Sequence, residues 1–499
     1  MIRRKRKTTY YSNTQGSLGL SDTAIKRRRQ KRKQALIIAL IAIEAVVVFG
    51  VIGFAVHNRR VRDAAEAALQ AERETAESLP LISITESLPE NPLADEYWGE
   101  LIHAPRAIAH QRLNVHGIYM NTGLNLEEEL DLISRTELNA VVINLKEGDG
   151  VYFNSQNELA RSVGGNYMRL SVDLPEIVRQ CHERGVWVIG RIVCFKDPML
   201  AEAYPERALC DADGNVLHFN TESRMAFLDP YNPDNWDYLI DLALEAVEAG
   251  VDEIQFDYVR FPTGSTVEGT VPTYREAEGI PTTYDAINRF LQTARIRIQD
   301  TYGVPVSGDV FGISLTSRSD GALIGQDWPT IGFTGVDSVC PMVYPSHYAL
   351  GTTLNGVTFP TPDTHPYEVM YNALMVGREF HEQEGYAVVR PYIQAFTASY
   401  IGEGTYMVYD YNAINDQICA LQDAGLDEFI LWSPNPNYPE GQYSGNAELA
   451  EGERPGETAQ GRMEETETET ETAAGEGSAD NEGAAADEAV TEGGTADET

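Results

Sequence analysis

The chain has 499 residues, enough for more than one structural unit, and a formal net charge of -38, which argues against a nucleic-acid partner for its main domain. Its five cysteines are odd in number and include no Cys-x-x-Cys pair, so neither a disulfide framework nor a zinc site is indicated. Cys194 and Cys340 lie in apolar runs and read as small core residues.

The charge is unevenly spread. Residues 1–34 are basic, through Arg3 to Lys7 and Lys26 to Lys33. Ala35 to Val56 is a continuous apolar run of about membrane-spanning length, with one acid, Glu44, and no Lys or Arg. It is too long for a signal-peptide core, and no clear small-x-small cleavage site follows. The basic cluster before it outweighs Arg59, Arg60 and Arg62 after it. The expectation is one transmembrane helix at the cell membrane, the N-terminus cytoplasmic and everything after residue 57 extracellular. A cleaved long signal sequence is the alternative, and it too leaves the main domain outside. Residues 57–97 read as a spacer: Val61 to Ser78 is rich in Ala and Glu and suits a helix, and Leu79 to Leu93 carries prolines and suits an extended chain.

Between Trp98 and about residue 445, short apolar runs alternate with amphipathic stretches. The runs are Val115 to Met120, Ala140 to Leu145, Val186 to Phe195, Gly250 to Pro262, Val304 to Phe311, Ser338 to Tyr344, Ala387 to Phe396 and Glu428 to Trp432. Helical patterns lie at Leu174 to Arg184, Pro233 to Ala249, Tyr284 to Tyr302, Tyr367 to Glu384 and Ala413 to Ala424. Asn232 is placed to cap the second of these, with Pro233 at its first position. Eight such steps predict an α/β fold, a (β/α)8 TIM-type barrel with extended βα loops, over residues 98–445. A doubly wound open sheet is the runner-up, and no Gly-x-Gly-x-x-Gly follows a strand to support a dinucleotide site. From about Asn446 the sequence becomes Glu, Thr, Gly and Ala with almost no large apolar residue, which predicts a disordered acidic tail over 446–499.

A faint repeat places a helix-ending glycine and then an acid at the start of several strands, as in Gly250-Val-Asp-Glu253 and Gly425-Leu-Asp-Glu428. Asp252, Glu253, Asp337, Asp427 and Glu428 therefore belong to the N-terminal, stabilising face of a barrel. Groups at the C-terminal strand ends belong to its mouth, where catalytic residues collect. In the fourth run Ile254, Phe256 and Tyr258 share one parity and Gln255 and Asp257 the other, which sets a carboxylate at the end of a buried strand. The other candidates are Lys146, Glu147 and Asp149 after strand two, Arg191 on strand three, Arg260 after strand four, and Asp309 on strand five. Tyr344 and His347 follow strand six, Gln394 ends strand seven and Trp432 ends strand eight. The parity of Arg191 allows it to face the helices instead.

Carboxylates, amides and aromatics in this mixture suit a carbohydrate, whose C–H faces stack on Trp and Tyr and whose hydroxyls pair with polar side chains. Glycoside cleavage needs two carboxyl groups flanking the bond. Asp257 and Asp309, on neighbouring strands, are the expected pair, with Glu147 or Asp149 as a third acid that holds the sugar or replaces one of them. The structural alternatives are that Lys146 neutralises Asp257 inside the barrel, that Trp432 is a core lid and that His347 is a surface residue. No His-x-His or His-Glu pair stands at metal spacing, and no cofactor is expected. Asp211-Ala-Asp-Gly-Asn215 begins like a calcium loop but lacks the later Glu, so a hairpin turn is expected there. No Gly-x-Ser-x-Gly elbow occurs.

Asp252 to Pro262, with Arg191-Ile-Val-Cys-Phe-Lys-Asp-Pro198 upstream and Phe227-Leu-Asp-Pro-Tyr-Asn-Pro233 between, resembles the bacterial Putative glycosyl hydrolase domain family. The resemblance covers most of residues 112 to 440 and implies a glycosidase-type (β/α)8 barrel distantly similar to the alpha-amylase superfamily. It implies that Asp257 matches the strand-four nucleophile of those barrels and that strand five carries the general acid. The sequence departs from that pattern at Asp309, where the superfamily has Glu, and at Gln255, where it has Arg. Matched to the chitinase-type strand-four pattern from Asp252, Gln255 replaces the second Asp and Val259 the catalytic Glu.

The expected protein is thus a membrane-anchored extracellular glycoside hydrolase acting on an envelope or environmental polysaccharide. Asp257 is its nucleophile or base and Asp309 its acid, with Lys146, Glu147, Asp149, Arg191, Arg260, Tyr344, His347, Gln394 and Trp432 around the sugar. The first alternative is a non-catalytic glycan-binding barrel at the cell surface. A deacetylase is a weaker one, since it needs a metal site.

Overall fold

The apolar runs with a two-residue period form eight strands, which we label β1 (His116–Asn121), β2 (Ala140–Glu147), β3 (Trp187–Val193), β4 (Glu253–Asp257), β5 (Val306–Phe311), β6 (Ser338–Val343), β7 (Val388–Val389 and Tyr392–Gln394) and β8 (Phe429–Trp432). The computed structural model describes residues 91–104, 107–121, 125–269, 278–449 and 454–455. Each strand pairs in parallel with the next, and β8 pairs with β1, so the sheet closes into an eight-stranded barrel. Closure leaves no exposed edge and rules out the open sheet. The basic segment, the apolar run 35–56 and most of the spacer and tail lie outside the described residues. Among the described residues no helix is long and apolar enough to cross a membrane.

The helices begin and end where their caps dictate. We label them α1 (Pro92–Trp98), α2 (Leu126–Ile133), α3 (Leu174–Glu183), α4 (Pro233–Glu248), α5 (Thr283–Tyr302), α6 (Pro366–His381) and α7 (Tyr411–Asp423). Asn232 accepts from the Asp234 amide at the start of α4, and Thr282 with Asp285 forms a capping box on α5. Both helices stop at glycines with positive φ, Gly250 at +94° and Gly303 at +73°, a conformation that costs other residues energy. Their apolar faces cover the outer side of the barrel, where Phe290 of α5 packs edge-on against Phe256 of β4. Asp211-Ala-Asp-Gly-Asn215 is a turn, as expected: Asp211 accepts from the amides of Asp213 and Asn215, and Cys210 pairs with Val216 across it.

Three departures have local causes. Residues 92–98, at the end of the stretch read as a spacer, form α1, whose Trp98 stacks on Tyr231 and whose Asp95 pairs with Arg289. After β5 there is no single long helix but three short ones, Ile313–Thr316, Arg318–Leu323 and Trp328–Ile331. Ser317 caps the second of these anew, and Gly325 (φ +82°) interrupts the path to the third. β7 breaks at Arg390-Pro391, because Pro391 has no N–H to give to a ladder.

The N-terminal end of the barrel is closed by a buried ionic network. Arg390, 0 % exposed, reaches Glu253 at 2.6 Å, Glu428 at 2.7 Å and Ser338 at 3.0 Å. Arg112 bridges Glu428 to Asp337 and His110 also bonds Asp337. Burial works to raise the Asp337 carboxyl, but His110 and Arg112 outweigh it and hold it below its usual range. Asp252 accepts from the Val188 amide and from His182. These acids have the structural role expected of that face. Replacing Arg390 with Ala strands two buried carboxylates, and the expected loss is about 3–5 kcal/mol of stability. A calorimetric Tm within a degree or two of wild type would show that the network does not hold the floor together.

Candidate active site

At the opposite end of the barrel, side chains from seven strands converge. On β2 the pairing with β3 slips between Asn144 and Lys146. This irregularity breaks the strict alternation and brings Asn144 and Glu147, three residues apart, to the same side. The Asn144 amide donates to Glu147 Oε1 at 2.6 Å and to the Tyr119 hydroxyl of β1 at 2.6 Å. Glu147 is the most open acid of the group, its side chain 27 % exposed.

Arg191 of β3 faces the interior, not the helices. Its Nη1 donates to Asn144 Oδ1 at 2.7 Å and to Glu147 Oε1 at 2.5 Å. Its Nε donates to Asp257 Oδ2 at 3.0 Å, and its Nη2 reaches the same oxygen. One guanidinium therefore joins two acids from β2 and β4, and its carbon lies 5.7 Å from the Tyr119 ring centre. The other oxygen of Asp257 accepts from the Tyr258 amide at 2.5 Å. Tyr258 itself has φ +50°, an unfavourable left-handed conformation for a bulky residue, worth on the order of 1–3 kcal/mol of strain.

Asp309 of β5 lies deeper. Its Oδ2 is 4.0 Å from Arg191 Nε, yet neither oxygen has a hydrogen-bond partner among the described residues, and the side chain is 0 % exposed. Burial first, and the neighbouring Asp257 charge second, push its carboxyl well above the usual range. Tyr344 of β6 is buried, and burial followed by the Asp309 charge raises its hydroxyl. The Tyr344 ring stacks on Trp432 of β8 at 5.4 Å, and Trp432 lies 6.2 Å from Tyr119. Beyond Trp432 opens a cleft of about 680 Å³, bounded by His347, Phe396, Tyr400, Tyr409 and Asn435.

The other predicted residues stand elsewhere. Lys146 is fully buried and turned outward by the slip in β2; its ammonium is held by Asp197 at 2.9 Å and the Val193 carbonyl at 2.7 Å, not by Asp257. Asp149 is exposed and tied to Arg169 and Tyr152, away from Arg191. Arg260 is buried against Glu222 at 2.8 Å, with its guanidinium carbon 4.5 Å from the Phe311 ring. Burial works to raise Glu222, but Arg260 and Lys196 outweigh it and keep its carboxyl low. Gln394 spends its amide on Asp363 and the Phe396 carbonyl and its oxygen on the Ser346 amide, so it ties loops together. His347 is exposed at the rim of the cleft, edge-on to Tyr344. Tyr119 and Asn144 were not among the expected residues, although both lie near the C-terminal ends of predicted strands. Among the described residues, no group of three or more His, Cys, Asp or Glu is placed to hold a metal ion.

The family profile described as Putative glycosyl hydrolase domain matches residues 113–438. The chain belongs to this family. The match spans all eight barrel strands and every residue of the Arg191 cluster. No curated protein sequence matches the chain. Similar solved structures include a hypothetical protein from Ruminiclostridium thermocellum, 37 % identical, with a TM-score of 0.33, covering 39 % of this chain and 97 % of its own. The PgaB glycoside hydrolase domain of Bordetella bronchiseptica is 14 % identical, with a TM-score of 0.45, and covers 64 % and 94 % respectively. An alpha-galactosidase of Thermus thermophilus is 12 % identical, with a TM-score of 0.41, and covers 72 % and 64 %.

Asp309 makes a sign-specific prediction. Its folded-state pKa is raised, so the stability it contributes is fully present below its unfolded pKa, about 3.9, and is lost as pH rises toward the folded value. Asp309→Asn should therefore match wild type in thermal stability near pH 4 and equal or exceed it at pH 7 to 8. A variant that is distinctly less stable at pH 8 than at pH 4, relative to wild type, would mean that Asp309 is ionised in the folded protein.

Proposed function

We propose that this glycosyl hydrolase-like barrel is an active glycosidase that cleaves O-glycosyl bonds of an envelope or environmental polysaccharide. We further propose that residues 35–56 hold it in the cell membrane with the barrel outside the cell. The apolar run, with basic residues before it, supports the second part. The observation that carries the first is the Glu147–Arg191–Asp257 bridge at the C-terminal mouth, beside a cleft floored by Trp432.

Asp257 serves as nucleophile or base toward the anomeric carbon, steadied by Arg191 and by the Tyr258 amide. Glu147, the acid with the most exposure, takes the donor role that the strand order suggested for Asp309. Asp309 is enclosed beneath Asp257, out of reach of solvent. As the donor Glu147 carries the proton it gives up, so the carboxylate charge that meets the positive charge developing on the sugar ring during cleavage is that of Asp257. In retaining alpha-amylase-type barrels the resemblance places an arginine two residues before the nucleophile; here Gln255 stands there, and Arg191 of the adjacent strand brings a guanidinium to Asp257 instead.

A second reading, a glycan-binding barrel without catalysis, is favoured by one observation: Asp257 is only 3 % exposed and Asp309 is sealed. The full-length chain separates the two. Wild type, Asp257→Asn and Glu147→Gln are incubated with a panel of bacterial and plant polysaccharides, and new reducing ends and glycan binding are both measured. The expected outcome is release by wild type, none by Asp257→Asn, and a loss of roughly 10²–10⁴-fold for Glu147→Gln. Equal binding by all three proteins with no release by any of them establishes the non-catalytic reading.

A further inference from the structure

Resting on that function, we infer that the cleft beside the acid cluster is a subsite for uncharged sugar units and that it excludes glycans bearing uronate or phosphate groups. Four observations carry this inference. Among the described residues bounding the cleft there is no Lys or Arg. Each cation named at the mouth already faces a carboxylate: Lys146 faces Asp197, Arg191 faces Glu147 and Asp257, and both Arg260 and Lys196 face Glu222. The acidic groups around the cleft are thus carboxyl groups: Glu147 and Asp257 beyond the Tyr119–Trp432 contact, and Asp363, whose carboxyl oxygens accept from Gln394 and the Met407 amide while its backbone carbonyl accepts from Tyr409. An anionic sugar would be desolvated there beside like charges with no partner.

What the cleft does offer suits a neutral ring. Trp432 is half-buried and held by Tyr344 on one side and Phe396 on the other, a fixed platform for a C–H face. Tyr400 stands at the rim, 65 % exposed and bonded through its hydroxyl to Ser346. Thr397, Ser433, Asn435 and Asn437 add hydroxyls and amides that pair with sugar hydroxyls. A volume of about 680 Å³ falls in the range of formed ligand sites. The cleft opens on the β6–β8 side, and the Tyr119–Trp432 contact lies between it and the acid cluster of Glu147 and Asp257.

The test measures binding by titration calorimetry on full-length Asp257→Asn protein, which prevents turnover. The probes are neutral tetra- to hexasaccharides of glucose, galactose and N-acetylglucosamine, set against galacturonate oligosaccharides of the same length. The inference expects binding of at least one neutral series and none of the uronate series. It expects Trp432→Ala to weaken binding tenfold or more and Tyr400→Ala by several-fold. Asn437→Lys, at an exposed position, should confer uronate binding. Should Trp432→Ala fail to fold, the two exposed substitutions still decide the matter. Uronate binding as tight as neutral binding overturns the inference, as does neutral binding that neither aromatic substitution affects. Reducing ends released by wild type from a charged polymer alone leave the glycosidase standing and sink the neutral subsite. Absence of both binding and release removes both.

Discussion

The guanidinium of Arg191 is the group on which the mouth of the barrel depends. Glu147, Asp257 and Asp309 come from three different strands, and parallel closure crowds their carboxyl groups together at low solvent exposure. Three buried acids without a cation would raise one another's pKa values and take up protons. Arg191 hydrogen-bonds to two of them and lies 4.0 Å from the third, Asp309, whose carboxyl burial pushes well above the usual range. A planar donor with several N–H groups in a fixed fork is needed for that division; a lysine at the same place would meet the charge but not the geometry. The mouth is therefore divided by hydrogen-bond geometry into a paired layer and, beneath it, a carboxyl group without a hydrogen-bond partner among the described residues.

The two ends of the barrel apply the same electrostatic rule to different purposes. At the floor, Arg390 meets Glu253, Glu428 and Ser338 with no exposure at all, and nothing is left to react. At the mouth, Arg191 meets its acids where Glu147 still reaches solvent and where a cleft opens beside Trp432. Aromatic packing connects the two regions: Tyr119, Tyr344, Phe396 and Trp432 pack ring to ring beside the charged cluster and the cleft. The strained backbone of Tyr258 belongs to the same end. It follows Asp257 directly, and its ring lies over Lys196 and Arg260.

All eight strand positions and five of the helices are legible in the chain, because apolar period and cap chemistry are local properties. Asn232, Pro233 and Gly250 frame α4 without any tertiary information. The inward parity of Gln255 and Asp257 follows from strand alternation alone, and so does the assignment of Glu253 and Glu428 to the stabilising floor. The three short helices after β5 were not legible, because their breaks lie in a stretch without clear apolar period. Nor was α2, which follows β1 in an acidic stretch with a triple Glu.

For the site, the sequence by itself determined which residues stand at the C-terminal strand ends, and Glu147, Asp257, Asp309, Tyr344 and Trp432 were all named there. It could not determine where each side chain turns. A slip of register between β2 and β3 sends Lys146 out to Asp197 and brings Glu147 in to Arg191, and no local pattern records a slip of pairing. The same holds for Arg260, which Glu222 draws away from the cleft, and for Gln394, whose whole amide is consumed by partners 31 and 48 residues away. Burial decided the rest: Asp309 became an enclosed carboxyl with a raised pKa only because barrel closure places it near Tyr344, Tyr392 and Cys340. Strand ends are fixed by short-range chemistry. The protonation and direction of a side chain depend on neighbours that only the closed barrel assembles.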